Sequence, residues 1–329
     1  MTGEDLATVR ADYPGYQIWR EITPGRDRYV ARSLLPGLSP HTVVTADLSE
    51  LRGVLEPAGA VPDLAAFTTA RANIARMYDR WLGGKDNFEA DRAAADGVTG
   101  RFPEVAEVAR ANRAFLARAV RYVARQGVSQ FIDAGAGLPA SPNVHEIARE
   151  EAPDARVAYV DHDPVVLSHA RALLAVDANV GVVAGDIRDP ARMLADPALT
   201  RVIDAGKPAC VLLVSVLHFL SAGEADAAVA VFRRWMAPGS YLVISAGTCT
   251  GTDPGLLRQL QAAYGDTAPV TGRTAGEIEA WFDGFTLARP GVVDVWAWRP
   301  ESIQRPAQSR ARILAGAGRK PAAGNGWPM

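Results

Sequence analysis

The stretch Phe131-Ile132-Asp133-Ala134-Gly135-Ala136-Gly137-Leu138-Pro139-Ala140-Ser141-Pro142-Asn143 restricts what this chain can fold into more than any other. A short apolar strand, Val128 to Asp133, runs into a Gly-x-Gly turn. A helix then starts at Asn143, with Glu146 as the partner of a capping box. Strand, glycine turn and helix in that order form the first βα corner of a doubly wound α/β domain, where a nucleotide-like ligand sits above the strand's C-terminal end. Gly135 and Gly137 suit such a corner because the backbone must turn tightly and let a ligand approach where a Cβ would block it. The same two glycines would also serve a purely structural turn, so the rest of the chain has to decide between the readings.

Downstream the pattern alternates strand and helix. Arg156 to Val160 reads as the second strand and Asp163-Pro164 opens the helix after it; Val180 to Ala184 is the third strand and Asp189-Pro190 opens the next helix. Ala209 to Ser215 is a near-continuous apolar run, as a buried parallel strand should be. Ser221 and Glu224 cap a helix through Met236, and Tyr241 to Ala246 is the fifth strand. After an excursion with a helix capped by Thr274 and Glu277, Phe285 to Ala288 and Val292 to Trp298 read as an antiparallel hairpin turning at Arg289-Pro290-Gly291. The pattern predicts an α/β fold with a seven-stranded, mostly parallel sheet and an antiparallel closing strand.

Before the glycine turn the pattern is helical. Ile74, Met77, Tyr78, Trp81 and Leu82 make one apolar stripe that Gly83-Gly84 stops; Asp86, with Glu89, caps a second helix, and Pro103 opens a third that Gly127 ends. Residues 1–57 read as a small N-terminal α+β unit, with strands Tyr16 to Arg20, Arg28 to Arg32 and Thr42 to Val44 and a helix from Asp47 through Leu55. Pro57 to Pro62 is the expected linker, 63–302 the main domain with 63–127 as its helical lead-in, and 303–329, poor in large apolar groups, a flexible tail.

A net charge of −2 gives no global pull toward nucleic acid, and no nucleic-acid partner is expected. The longest apolar run, Ala209 to Leu220, is too short to span a bilayer. Met1 to Asp5 is acidic and no apolar run follows it, so no secretory signal is expected and the location expected is cytoplasmic. Cys210 and Cys249 sit in strand-like apolar contexts and read as free buried thiols. His145, His162 and His169 have no metal-ligand spacing with acids or cysteines, and no metal is expected.

The candidate ligand residues fall at strand ends, where open α/β sheets bind. Asp161 ends the second strand and is placed to accept hydrogen bonds from ribose hydroxyls; an acid there could otherwise only cap the next helix, a task Asp163 is better placed to do. Asp186, after Gly185, can hold an adenine amino group or merely cap its turn, and Ile187 and His162 stand beside these acids. Ser215 and His218 follow the fourth strand. Pro139 occupies the place where a dinucleotide site would have its third glycine. Proline offers no N–H and resists close backbone approach, both of which a pyrophosphate needs. S-adenosylmethionine carries no phosphate, so Asp133, Gly135, Gly137, Asp161 and Asp186 suit it better.

Ala75-Arg76-Met77-Tyr78-Asp79-Arg80-Trp81-Leu82-Gly83-Gly84-Lys85-Asp86-Asn87-Phe88 resembles the signature of an actinobacterial family of S-adenosylmethionine-dependent methyltransferases, long catalogued as a domain of unknown function. Gly135 to Glu146 is similar to that family's cofactor turn, Tyr159 to Pro164 to its second-strand motif, and Asp283-Gly284-Phe285 with Trp298-Arg299-Pro300 to its closing hairpin. Ala134 and Ala136 depart from it mildly, since bulkier residues or threonine are usual there. The resemblance covers roughly residues 65–300 and implies a class I, Rossmann-like methyltransferase fold and cofactor, but no substrate. It also implies that the segment before the first strand folds over the methionine end of the cofactor, bringing Gly84, Lys85 and Asn87 near it.

The expected activity is therefore methyl transfer from S-adenosylmethionine to a small-molecule acceptor. His218 is the best single residue for a general base, since an imidazole titrates in the useful range, and Tyr264 is a weaker residue for the substrate lip. A non-catalytic S-adenosylmethionine sensor using residues 1–57 to meet a partner is the alternative, with an NAD(P)-dependent oxidoreductase behind it. Neither the acceptor nor the oligomeric state is written in the sequence.

Overall fold

The computed structural model describes residues 6–13, 15–23, 26–33, 42–55, 71–265, 267–300 and 310–322. The chain divides into two compact units, Met1–Thr68 with Asp163–Ala172 and Thr69–His162 with Leu173–Met329.

In the first unit, α1 (Leu6–Asp12) precedes β1 (Tyr16–Thr23), β2 (Arg26–Ser33), β3 (Thr42–Thr45) and α2 (Leu48–Leu55). The strands form an antiparallel sheet in the order β1-β2-β3, with Trp19 opposite Val30 and Val30 opposite Val44. Val9, Tyr13, Ile18, Ala31, Leu51 and Leu55 close over one another as its core. The strands and α2 are those expected; α1 has no strong signal in its short Leu-Ala-Thr-Val-Arg-Ala-Asp sequence. The expected linker, 57–62, lies outside the described residues, as do the first residues of the lead-in.

In the second unit the lead-in comprises α3 (Ile74–Leu82), α4 (Glu89–Arg101) and α5 (Val105–Arg125). Asn73 caps α3, its side chain accepting the Ala75 N–H at 2.7 Å, and Gly83 ends it at φ 86°. The cap of α4 differs from the expected Asp86 and Glu89: Phe88 is the cap residue, and its N–H donates to Asp91 Oδ2 at 2.8 Å. Then follow β4 (Gln130–Ala134), α6 (Val144–Arg149), β5 (Arg156–Asp161), β6 (Val180–Ala184), α8 (Pro190–Leu194) and α9 (Pro197–Val202); α7 (Pro164–Leu173), between β5 and β6 in the chain, is grouped with the first unit through Ala172. The chain continues through β7 (Cys210–Val214), α10 (Ala222–Trp235), β8 (Tyr241–Gly247), α11 (Pro254–Tyr264), α12 (Ala275–Ala280), β9 (Thr286–Leu287), β10 (Val293–Asp294) and β11 (Ile313–Arg319). The expected capping boxes are present at Asn143–Glu146, Ser221–Glu224 and Thr274–Glu277. Asp163 caps α7, its Oδ1 accepting the Val165 N–H at 2.8 Å.

The sheet runs β10-β11-β8-β7-β4-β5-β6, with β9 also paired to β11, so it has eight strands. Strands β4 to β8 are parallel, and β11 is antiparallel to β8. An antiparallel strand beside the fifth parallel one is the class I arrangement expected above, but a different segment supplies it. Residues 285–298 do not pair as a hairpin: β9 and β10 are two-residue strands that each pair with β11. The closing strand is Ile313–Arg319, inside the stretch read as a tail, with Ala315 and Ala317 fully buried. Its small residues are a packing requirement. A Cβ on Gly318 would stand 2.8 Å from Phe285 Cβ, and one on Gly316 3.3 Å from Phe282 Cζ. Residues 301–309 and 323–329 lie outside the described residues.

The core of this unit is built from Ile132, Val160, Val211, Leu213, Leu242 and Ile244 of the parallel strands, with Phe232 of α10 and Trp281 against them. Among the described residues no helix is long and apolar enough to cross a membrane. Cys210 and Cys249 are free thiols; Cys210 is buried as expected, Cys249 only partly.

Candidate active site

The strand order reverses between β4 and β7, with β5 and β6 to one side and β8 and β11 to the other. Such a reversal opens a crevice above the C-terminal strand ends, and a cavity of about 410 Å³ occupies it here. Its lining includes Asp133, Gly135, Gly137, Asp161, Ser215 and His218.

Gly135 and Gly137 take left-handed φ values of 78° and 66°, which L side chains rarely adopt. The Gly135 and Ala136 N–H groups donate to Val160 O at 2.8 and 3.0 Å, folding the turn onto β5. A Cβ on Gly135 would come within 2.4 Å of Val216 Cγ1, so this glycine is also where the turns after β4 and β7 meet. The Gly137 N–H donates to Asp161 Oδ2 at 2.9 Å, and the His162 N–H to Asp161 Oδ1 at 2.8 Å. Those bonds hold the buried Asp161 carboxylate in one orientation at the cavity. The helix after the turn begins only at Val144, and ahead of it the Asn143 N–H donates to Glu146 Oε2 while Asn143 Oδ1 accepts the Ala140 N–H at 3.2 Å. Among the described residues no helix starts directly at the glycines, as a pyrophosphate site would require.

Asp133 is 5% exposed, and its carboxylate has no hydrogen-bond partner among the described residues. Burial pushes it up to about 6, against the pull of the Arg113 guanidinium and with a further push from Asp161. Arg113 donates to Ala140 O and, at 2.7 Å, to Pro142 O, bracing the segment after the turn. At the end of β6, Asp186 is gripped by Arg188, whose Nε lies 2.9 Å from Oδ2 and whose N–H lies 2.9 Å from Oδ1. That grip holds the carboxyl below its ordinary range. Ile187 reaches the cavity while packing on the core, and the largely exposed His162 ring flanks the same end.

At the other lip Ser215 is a non-glycine residue at φ 58°. Its N–H lies 3.0 Å from both the carbonyl and the hydroxyl of Ser245. The Ser245 hydroxyl donates to Asn112 Oδ1 at 2.6 Å, the Asn112 amide to the Tyr78 hydroxyl at 3.0 Å, and that hydroxyl to Ala109 O at 2.8 Å. One hydrogen-bonded chain thus ties β7 and β8 to α5 and α3 beside the cavity. His218 lies in a 3₁₀ turn, Leu217–Phe219, and its Nδ1 accepts the Gly247 N–H at 3.3 Å. The ring proton therefore sits on Nε2. Burial against the cavity wall lowers its pKa to about 4, with Arg273 adding to the effect. A ring that is neutral, with its basic nitrogen already occupied, is poorly suited to be a general base at neutral pH.

Gly84, Lys85 and Asn87 do not line the cavity. They form the turn that ends α3, organised by the buried Asp79. Its Oδ2 accepts the Asp86 N–H at 3.0 Å and the Asn87 amide at 2.8 Å, and Asn87 also donates to Gly84 O at 3.1 Å. A Cβ on Gly84 would lie 1.8 Å from Asp79 Oδ1, so glycine is required there by packing. Lys85 is exposed. The segment thus reaches the cavity through α3 itself, with Asn73, Ala75 and Tyr78, rather than through the turn after it. Sequence reasoning missed Asn112, Arg113 and Ser245. Asn112, 1% exposed on the otherwise apolar face of α5, was the one available signal, since a buried amide needs partners.

A family model described as S-adenosyl methyltransferase matches residues 62–321. The chain belongs to that family. It is similar to a crystal structure of a candidate methyltransferase from Thermobifida fusca at 43% identity and a TM-score of 0.74, over 79% of this chain and 99% of that one. It is similar also to a DUF574 family protein from Streptomyces avermitilis at 35% identity and a TM-score of 0.73, over 77% of this chain and 99% of that one. No curated protein matches it. The protein is an S-adenosylmethionine-dependent methyltransferase, and S-adenosylmethionine is its cofactor. The sensor and oxidoreductase readings are set aside.

Proposed function

We propose that the protein methylates a small-molecule acceptor bound in the same cavity as the cofactor. The observation that carries this is Asp161, a buried carboxylate at the switch point, oriented by the Gly137 N–H and lining the cavity. Asp161 accepts the ribose hydroxyls, and Asp186, Ile187 and His162 meet the adenine. Asp133, whose carboxylate has no hydrogen-bond partner among the described residues, holds the methionine end with Gly135, Gly137 and Ser215. The residues fit this cofactor: the glycine turn gives close approach without phosphate donors, and the acids match a ribose and an ammonium. S-adenosylmethionine supplies the electrophilic methyl group. The protein's contribution is to align the acceptor with it and keep water out. A cavity walled largely by side chains of one unit favours a small acceptor over a macromolecule.

Calorimetric titration with S-adenosylhomocysteine is expected to show micromolar binding, weakened at least about tenfold in Asp161→Ala, because a hydrogen-bonded charged group is lost. Unchanged binding in that variant would remove the assignment. Mass spectrometry of host metabolites incubated with the protein and methyl-labelled cofactor identifies the acceptor.

A further inference from the structure

The cavity extends well past the residues assigned to the cofactor, and its two halves differ in chemistry. Arg113, Asp133, Asp161, Asp186 and Arg188 cluster at the glycine turn and the ends of β5 and β6. The other half is walled by rings. His218 and Phe219 have centroids 4.2 Å apart, Phe219 and Tyr264 5.8 Å, and Tyr264 and Trp81 6.2 Å at an interplanar angle of 73°. Trp81 and Tyr264 share a hydrophobic cluster with Val105 and Ala109 of α5, which also line the cavity. Asp79 also lines the cavity, its Oδ2 accepting the Asp86 N–H and the Asn87 amide. Arginines line the cavity only at 113 and 188 among the described residues, and both are bonded within the cofactor half. The Tyr264 hydroxyl and one nitrogen of His218 are left without a hydrogen-bond partner in this half among the described residues. His218 Nδ1 is occupied by the Gly247 N–H, while Nε2 has no partner among the described residues.

We propose that this half is the acceptor subsite, and that it takes a neutral, flat aromatic molecule whose ring stacks against Phe219, Tyr264 and Trp81 and which accepts a hydrogen bond from His218 Nε2–H. The proposal rests on the cofactor reading above. Neutrality follows from the surroundings. An anion would enter a ring-lined wall that no arginine lines, the Arg273 that acts on His218 lying behind it and donating to Ser221 O, and a cation would meet the sulfonium of the cofactor. Flatness follows from the continuous ring wall, because aromatic pairs gain most from offset or edge contacts. His218 is thereby a positioning and specificity-determining residue rather than a proton acceptor. The low pKa imposed by its burial keeps it a neutral donor.

The test uses four probes read by ligand-observed NMR: quinoline, naphthalene and benzoate on the protein saturated with S-adenosylhomocysteine, and benzyltrimethylammonium on the protein saturated with S-adenosylmethionine, which carries the sulfonium. Quinoline is expected to bind at least about tenfold more tightly than either charged probe, and about fivefold more tightly than naphthalene, from which it differs by one hydrogen-bond acceptor. In His218→Leu the quinoline-to-naphthalene ratio should fall to about one with naphthalene binding retained, which a merely structural histidine would not produce. In Tyr264→Leu both should weaken by a similar factor, about fivefold. Tighter binding of benzoate or benzyltrimethylammonium overturns the neutral subsite. No binding of any ring while S-adenosylhomocysteine still binds overturns the proposal and leaves the cofactor reading standing. Failure of S-adenosylhomocysteine itself to bind takes both down.

Discussion

Asp133 and His218 are both moved toward their neutral forms, and the consequences for stability have opposite signs. Asp133 sits at about 6 in the fold against an ordinary 3.8, because burial penalises its charge. The folded state therefore holds this proton more tightly than the unfolded one, so the contribution favours folding at low pH and is lost as pH rises from 3.8 through about 6. Asp133→Asn is expected to raise the Tm at about pH 7.5, with the gain shrinking as pH approaches 4, while weakening S-adenosylhomocysteine binding. Thermal denaturation across that range with calorimetry checks both, and a lowered Tm at neutral pH would contradict it. His218 moves the other way, to about 4 from 6.5, so its stabilising contribution is full above 6.5 and is lost as pH falls through that window. His218→Gln should flatten the acid limb of the stability profile between those values. An acid limb identical to that of the parent would show that the ring is not held neutral by the fold.

The turn after α3 shows how far a motif can be legible in kind and misread in use. Leu82 to Asn87 is distinctive in sequence, and its resemblance to a family signature was sound; Gly84 and Asn87 pack on and bond to Asp79 and do not line the cavity. Local pattern cannot tell a ligand's partner from a helix terminus's partner, since both want the same amide and the same missing Cβ. Gly84→Ala is expected to cost about 3 kcal/mol, as overpacking against a fixed buried group does, visible as a lower Tm by circular dichroism. A Tm within a degree or so of the parent would mean that Asp79 can move aside. By contrast, the βα corner at 130–146 was readable almost residue by residue. Its strand, left-handed glycines and capping box depend on local chemistry alone.

For the molecule as a whole, the decisive element is the last strand. β11 pairs with β8 over seven residues, Ile313↔Gly247 to Arg319↔Tyr241, and anchors both β9 and β10. A chain ending before Arg310 would leave the β8 edge unpaired and Phe282 and Phe285 without the glycines they pack on. Such a truncation is expected to abolish cooperative thermal unfolding and S-adenosylhomocysteine binding together; retention of either would contradict a structural role for the strand. The sequence by itself determined the alternation of strands and helices and the glycine turn, and it set the acids 133, 161 and 186 in or just after strands β4, β5 and β6. Each of these follows from short-range periodicity or from the chemistry of one position. Tertiary structure alone decided which segment closes the sheet, which polar groups share the Ser215–Ser245–Asn112–Tyr78 chain, and which nitrogen of His218 carries the proton. Those depend on residues far apart in the chain, and a strand of alanine and glycine has no hydrophobic signal until the rings it packs against are in place.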